Sequence, residues 1–334
     1  MTDFSATDQP LARRMEAWCR DLQGQICDAL EAQEREMGSD AAFSSDVWER
    51  VNPDGTGGGG GTSRVIEGGK VFEKGGVNVS AVHGPLPERM AQAFGVDGAP
   101  FFATGISLVL HPANPFVPAV HANFRYFALG TDLARPADQW FGGGGDLTPV
   151  YPTTEDAEHF HRTWKSACDR HPAVADYRAY KEACDRYFYL PHRGETRGVG
   201  GIFYDYERPD EHRSAEAIFA FAREAGASLM PAYLPLVERH RGQAFSDAER
   251  RFQALRRGRY AEFNLAYDRG TRFGLETGGR TESILMSLPP RVEWAYAWDP
   301  ATDPHYGPDS PEAAAMAFFT PRDWLGINAE ETGG

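Results

Sequence analysis

The side chains best suited to chemistry in this 334-residue chain lie in one short stretch, Val120 to Phe127. The stretch reads as a strand, in which alternate side chains share a face. His121, Asn123 and Arg125 then point one way, and Val120, Ala122, Phe124 and Tyr126 point the other. By the same rule the preceding stretch from Ile106 places Ser107 and His111 together. The proline-rich connection from Pro112 to Ala119 can return the chain antiparallel. One sheet face would then carry Ser107, His111, His121, Asn123 and Arg125. An imidazole moves protons near neutral pH, an amide donates and accepts, and a guanidinium grips a carboxylate. These residues are poor strand formers. Their clustering therefore favours a functional face over the solvated outer face of a half-buried sheet.

Two further stretches add chemistry. From Trp140 to Pro149, four glycines precede Asp146. No Gly-Lys-Ser/Thr follows, so this is no phosphate loop, and no strand–helix frame brackets it as in a dinucleotide site. The expected structure is a glycine-rich turn. Either Asp146 caps it, or its bare backbone leaves room for a large flat ligand at which Asp146 is aimed. From Arg257 to Arg280, Asp268 to Thr271 is expected to turn between two alternating strands, with Tyr260 to Met286 strand-like overall. Thr277 to Arg280 follows as a loop able to expose backbone N–H groups. Arg125, Arg269, Arg272 and Arg280 around one cleft would suit a small polyanion. His159 and His161 lie in a helical pattern about 200° apart around the axis, so both cannot serve one site.

The elements that must hold these residues are partly legible. Leu11, Met15, Trp18, Leu22, Ile26 and Leu30 recur at steps of three and four, which predicts an amphipathic helix over 10–37 stopped by Gly38. The glycine run from Asn52 to Gly61 is expected to be a mobile loop, either a linker or a lid. Residues 154 to 190 read as helical, opened by Thr153 or Thr154, as do 212 to 240 and 246 to 257. Strands are not separated by regular helices. The expected fold is therefore α+β, a large, mainly antiparallel sheet flanked by helices on both faces in a single domain over 1–334, with its core at about 43–300. Net charge is −14, from 34 Lys+Arg against 48 Asp+Glu, which argues against nucleic acid as partner. No run is long enough for a membrane span, and Met1 to Pro10 lacks a secretory pattern, so a cytoplasmic protein is expected. The cysteines at 19, 27, 168 and 184 are too widely spaced for a zinc or iron–sulfur motif, and Cys19 and Cys27 are expected as packed hydrophobes.

Taken together, several segments resemble the oxygen-dependent coproporphyrinogen III oxidases of haem biosynthesis, over roughly Phe43 to Pro290. They are Glu73-Lys-Gly-Gly-Val-Asn-Val-Ser80, Ser107-Leu-Val-Leu-His-Pro112, Val120 to Phe127, Trp140 to Pro149, Arg197-Gly-Val-Gly-Gly-Ile-Phe203 and Arg257 to Pro290. The resemblance implies two successive oxidative decarboxylations of propionate side chains of coproporphyrinogen III to vinyl groups, giving protoporphyrinogen IX. Dioxygen is the co-substrate, and carbon dioxide and hydrogen peroxide leave. It also implies a homodimer, with Tyr260 to Trp294 involved in dimer formation. Ser107, Asn123, Phe124, Arg125, Gly278, Gly279 and Arg280 match substrate-binding positions. His121 matches the proton donor, and Asp146 an aspartate that engages pyrrole N–H groups. His111, His121, His159 and His192 match histidines assigned to a divalent metal that is disputed in the family, so no cofactor is expected to be obligatory. Gly145, where some relatives carry a larger residue, and Pro191 before His192 are local departures; neither removes a functional group. A tetracarboxylate would account for the arginines in an acidic chain, and a puckered macrocycle for the glycines. The enzyme class that performs the same conversion with an iron–sulfur cluster needs a cysteine triad, absent here. Two other readings are a metal-dependent oxygenase, with His111, His121 and a carboxylate as its triad, and a non-catalytic tetrapyrrole carrier.

Overall fold

A computed structural model describes residues 9–86, 91–92, 99–276 and 279–327. Helix α1 (Leu11–Glu36) opens the fold and buries Met15, Trp18, Cys19, Leu22, Ile26 and Leu30 along one stripe. It stops before Gly38, whose φ of +66° no continuing helix accepts. Six strands follow: β1 (Ser44–Val51), β2 (Gly57–Glu67), β3 (Phe72–Pro85), β4 (Pro100–Pro112), β5 (Ala119–Leu129) and β6 (Asp138–Thr148). After α2 (Thr154–Asp169), α3 (Tyr177–Tyr187) and a two-residue ladder, β7 (Tyr189–Leu190) with β8 (Glu195–Thr196), the chain returns as β9 (Gly200–Glu207). Then come α4 (Ala215–His240), α5 (Asp247–Ala266), α6 (Arg269–Glu276), α7 (Thr281–Leu285) and α8 (Pro311–Ala315). The large sheet runs β1-β2-β3-β4-β5-β6-β9 with every neighbour antiparallel.

The two faces of the sheet have different fates. Ile106, Leu108 and Leu110 of β4, with Val120, Ala122, Phe124 and Tyr126 of β5, join the main core against α1 and α4. Trp18 packs edge-on against both Phe124 and Phe219, with centroids at 5.9 and 6.1 Å. The opposite face carries the polar set and lies under the α5–α7 segment, where Met286 sits over Gly76. Helix α3 wraps the β9 edge. Its Tyr180 stacks on Tyr204, and Tyr187 stacks on Phe203. The expected antiparallel sheet with helices on both faces is what forms.

Four local expectations are corrected. The run 52–61 is not a loop throughout: a turn at Asn52–Thr56 leads into β2, which contains Gly57 to Gly61. The strand takes glycines because its neighbours approach closely; at Gly59 (φ +84°) a Cβ would lie 2.1 Å from the carbonyl oxygen of Ala81. Phe141 to Thr148 is likewise part of a strand, β6, and not a turn. There Gly144 (φ +142°) would place a Cβ 2.1 Å from the Ile202 oxygen. The helical text from 154 to 190 splits in two. Thr153 caps α2 by accepting from Asp156 N–H, and Asp176 caps α3. Finally, the described residues between Tyr260 and Met286 lie mostly in helices (the end of α5, then α6 and α7) and none is in a strand. Tyr260, Phe263 and Tyr267 recur at steps of three and four, and Asp268 accepts from Thr271 N–H at the start of α6 instead of closing a hairpin.

Two histidines are sealed into this architecture. Burial, with Arg257 beside it, drives His111 down to about 3. Burial likewise drives His161 down to about 3, with its ring held by Tyr177 and the Val199 carbonyl. An unfolded chain protonates both near about 6.5. The folded values lie below the unfolded ones, so the unfolded state binds more protons between them. Stability should therefore fall as pH drops from about 6.5, by roughly 1.4 kcal/mol per pH unit for each histidine. Urea midpoints measured between about pH 7 and pH 5 check this. His161→Gln should remove one proton from the slope, and a midpoint independent of pH would contradict neutral burial.

Candidate active site

The polar sheet face forms the floor of a cavity of about 360 Å³. A row of hydrogen-bonding side chains crosses it by strand register. Ser63 pairs with Asn78, Asn78 with Ser107, and Ser107 with Asn123. Ser63 Oγ donates to Asn78 Oδ1 at 2.9 Å and meets Ser283 Oγ of α7 at 2.7 Å. The cavity lining includes Ser107, His121, Asn123 and Arg125, with Asn264 of α5 and Met286 just beyond α7 contributing from the roof. Period-two alternation thus brings four of the five expected residues to one surface. The fifth, His111, shares their side of β4 but is fully covered. Its Nε2 donates to the Ser287 carbonyl at 2.9 Å, and its ring meets Tyr260 edge-on. Phe124 points into the opposite core, so only its neighbours Asn123 and Arg125 present side chains to a ligand.

Beneath His121 lies a buried polar cluster. His121 and Asp146 stand opposite each other on β5 and β6, and Nδ1 of the imidazole lies 2.8 Å from Asp146 Oδ1. Arg197 grips the same carboxylate, its Nη2 at 2.8 Å from each oxygen. Side-chain exposure is 1% for Asp146 and 2% for Arg197. Burial by itself would raise the Asp146 carboxyl, but Arg197 and then His121 outweigh it and hold the group below the usual carboxylate range. Arg197 also donates to Asn264 Oδ1 at 2.7 Å. Its cation lies 4.1 Å from the Phe188 ring centroid, 4.5 Å from Tyr260 and 4.8 Å from Phe263. An ionised Asp146 accepts from Nδ1–H of His121. This leaves Nε2 on the cavity side, 3.5 Å from Asn123 Nδ2. The Asp146 carboxylate thus stands behind the imidazole, with both oxygens already engaged by Arg197 and one also by His121.

The remaining expected site residues are dispersed. Arg125 lines the wall and pairs with Asp205 at 2.7 Å; Arg269 at the start of α6 lies 3.7 Å from the same carboxylate. Arg272 is exposed on α6. Gly279 donates to the Gly274 carbonyl, and Arg280 reaches across to Asp46 on β1. Gly278 lies outside the described residues. The four histidines matched to a metal do not meet. His159 contacts the Pro231 carbonyl on the helical side, and His192 lies between Glu262 and Tyr267. Among the described residues, no group of three or more His, Cys, Asp or Glu side chains is placed to hold a metal ion. These residues therefore do not fit a four-histidine site within one chain.

Sequence reasoning assigned no role to Arg197, Asn264, Asn78 or Asp205. Arg197 did carry a signal: an arginine preceding the glycine-rich, apolar text of β9 is placed for burial, and a buried guanidinium needs an acid. Arg197→Met should leave Asp146 as an uncompensated buried carboxylate and lower stability by about 3–5 kcal/mol at neutral pH. Without the arginine, burial raises the Asp146 pKa, so the variant's deficit should shrink as the pH falls and the group protonates. Urea unfolding of both proteins across this range checks the sign; a constant deficit would count against the pairing.

Comparison with known proteins meets this geometry. The family model for coproporphyrinogen III oxidase matches residues 14–324, a wider span than the motifs themselves. An oxygen-dependent coproporphyrinogen-III oxidase of Prochlorococcus marinus (strain MIT 9313) is 48% identical over 331 residues, covering 91% of this chain and 88% of the relative. One of Synechococcus sp. (strain CC9605) is 47% identical over 339 residues, covering 94% and 87%. Since the matched span of 14–324 contains every strand of the sheet and the whole stretch that builds the cavity, and the relatives are 47–48% identical over nine-tenths of the chain, the chain belongs to the coproporphyrinogen III oxidase family.

Proposed function

We propose that this chain carries out the oxidative decarboxylation of two propionate side chains of coproporphyrinogen III to vinyl groups, giving protoporphyrinogen IX for haem synthesis. Each round balances as propionic acid plus O2 giving vinyl, CO2 and H2O2. A C–H bond on the β-carbon and the bond to the carboxyl carbon break, a C=C bond forms, and two electrons reduce O2. The electron-rich porphyrinogen supplies those electrons, so dioxygen is the only oxidant that the balance requires. The protein's work is then to position the macrocycle, exclude water and move protons.

One observation carries this reading most directly: His121 is the only histidine lining the cavity among the described residues, and its Nδ1 is held by Asp146. When Nε2 takes or returns a proton, an ionised Asp146 stabilises the imidazolium and fixes the ring's orientation. Ser107, Asn123, Arg125 and the 278–280 segment serve as substrate-binding groups, with Arg125 facing a carboxylate. Aerobic incubation with coproporphyrinogen III, followed by chromatography of the oxidised products, tests the activity against an anaerobic control. Binding without oxygen uptake would convert the reading to a carrier. Asp146→Asn should lower kcat by roughly 10²- to 10⁴-fold with little change in binding, because the amide keeps size but loses the charge beneath the imidazole. Wild-type kcat would remove Asp146 from the mechanism.

A homodimer in the cytoplasm is part of the same proposal. Four free, buried cysteines suit a reducing compartment. Among the described residues, no helix is long and apolar enough to cross a membrane. Within Tyr260 to Trp294, Tyr260 and Phe263 are spent on the chain's own core, which narrows the aromatic argument. Leu265, Leu275 and Trp294 still stand exposed, and Tyr296 beyond them is fully exposed. That apolar surface is what a second copy would cover. Sedimentation at micromolar concentration should give a dimer; a stable monomer would refute it.

A further inference from the structure

Strand β9 breaks register opposite β6. Phe141 pairs with Glu207 and Gly143 with Tyr204, so two residues, Asp205 and Tyr206, stand against Gly142. A bulge of this kind re-aims side chains. Tyr206 adopts φ +57°, a conformation that side chains with a Cβ rarely take, and strain of this sort concentrates at functional sites. The consequence is visible in its contacts. The Tyr206 ring packs on Trp140 with centroids 4.8 Å apart, while the neighbouring Asp205 carboxylate meets Arg125 at 2.7 Å. Trp140 and Arg125 both line the cavity. Asp205 is not among the lining residues and keeps only 11% exposure.

Arg125 is consequently fixed from two directions. The Asp205 carboxylate holds one nitrogen, and the Trp140 indole lies under the guanidinium at 5.6 Å. Gly142 makes the pairing sterically possible, since a Cβ there would lie 2.8 Å from both Arg125 Nε and Asp205 Oδ1. The arginine side chain nevertheless stays 37% exposed. A planar guanidinium that is ordered before binding loses less freedom when it receives a carboxylate.

We propose that Asp205 is the positioning residue for Arg125. Without touching the substrate, it orients the guanidinium so that its open edge receives one carboxylate of the tetracarboxylate macrocycle. Asp205 also lies 3.7 Å from Arg269, whose side chain is largely exposed outside the cavity lining, while Arg125 is the partner it holds at 2.7 Å. This inference rests on the substrate class proposed above.

The test is a double-mutant cycle read by binding. Coproporphyrin III, the oxidised and unreactive analogue, is titrated against tryptophan fluorescence for wild type, Asp205→Asn, Arg125→Ala and the double variant. Asp205→Asn should weaken Kd about tenfold even though it makes the wall more positive, and Arg125→Ala should weaken it at least as much. The double variant should match Arg125→Ala alone, because the aspartate acts only through the arginine. KM for coproporphyrinogen III should rise in parallel, with kcat changed less than about threefold. Gly142→Ala wedges the pair apart by a single methyl and should weaken binding in the same direction, which covers the case of an unfolded Asp205→Asn. Unchanged or tighter binding by Asp205→Asn would overturn the proposal, as would losses that add in the double variant. Wild type that binds the porphyrin but consumes no oxygen would defeat the proposed activity and leave the Kd comparison standing. Wild type that fails to bind it would defeat both.

Discussion

The pairing of Asp146 with Arg197 is the interaction around which the cavity floor is assembled. Removing two charges from water costs several kcal/mol for each ion, and the geometry must return that cost through contacts. Here it does so with a two-pronged grip on the carboxylate, the Asn264 amide, the His121 imidazole and three aromatic rings around the guanidinium. Burial alone would lower the Arg197 pKa, but Asp146 more than offsets it and the cation persists. The pair also ties elements that are otherwise far apart: β6, the approach to β9, the end of α3 and α5. An apolar pair of equal volume could join them as firmly. It would not leave a carboxylate beneath the imidazole that faces the cavity.

Space is the second constraint. An antiparallel sheet has no natural pocket, and glycine makes one here by removing the cross-strand side chains on both sides of Arg125 and on one side of Asn123. Arg125 lies between Gly105 on β4 and Gly142 on β6, and Asn123 lies opposite Gly144. The same absence of side chains lets β6 approach β9 closely enough for the bulge at Asp205 and Tyr206 to reach Arg125. On β3, Gly76 makes room for Met286 to cover the floor from above.

Charge on the polar side of the sheet is arranged in pairs, not as a bare positive patch. Arg197 is held by Asp146, Arg125 by Asp205, and Arg280 by Asp46. The depth of each pair sets its effect. The innermost is sealed, with its carboxylate bonded to His121. The Arg125 pair is half open, with a guanidinium still able to receive a ligand. The Arg280 pair is the most accessible of the three and links the loop before α7 to the edge strand β1.

Local periodicity was sufficient to identify α1 and the two central strands, because helix and strand repeats are properties of neighbouring residues. It also placed Ser107, His121, Asn123 and Arg125 on one face, since two antiparallel strands with a known alternation must share faces. The motif resemblance added the family and its substrate class. Glycine runs carry no such periodic signal. Whether Gly57 to Gly61 and Gly142 to Gly145 form loops or strands depends on the strands that approach them, which only pairing decides. The helical steps Tyr260, Phe263 and Tyr267 were present in the sequence but masked by the surrounding arginines and glycines. Asp146 and Arg197 are 51 residues apart, and Arg125 and Asp205 lie on strands separated in sequence by α2 and α3. No local pattern links such partners. Sheet register, the bulge in β9 and the burial of each ion decided which acid meets which arginine, because a buried charge must find its counterpart wherever the chain brings one within reach.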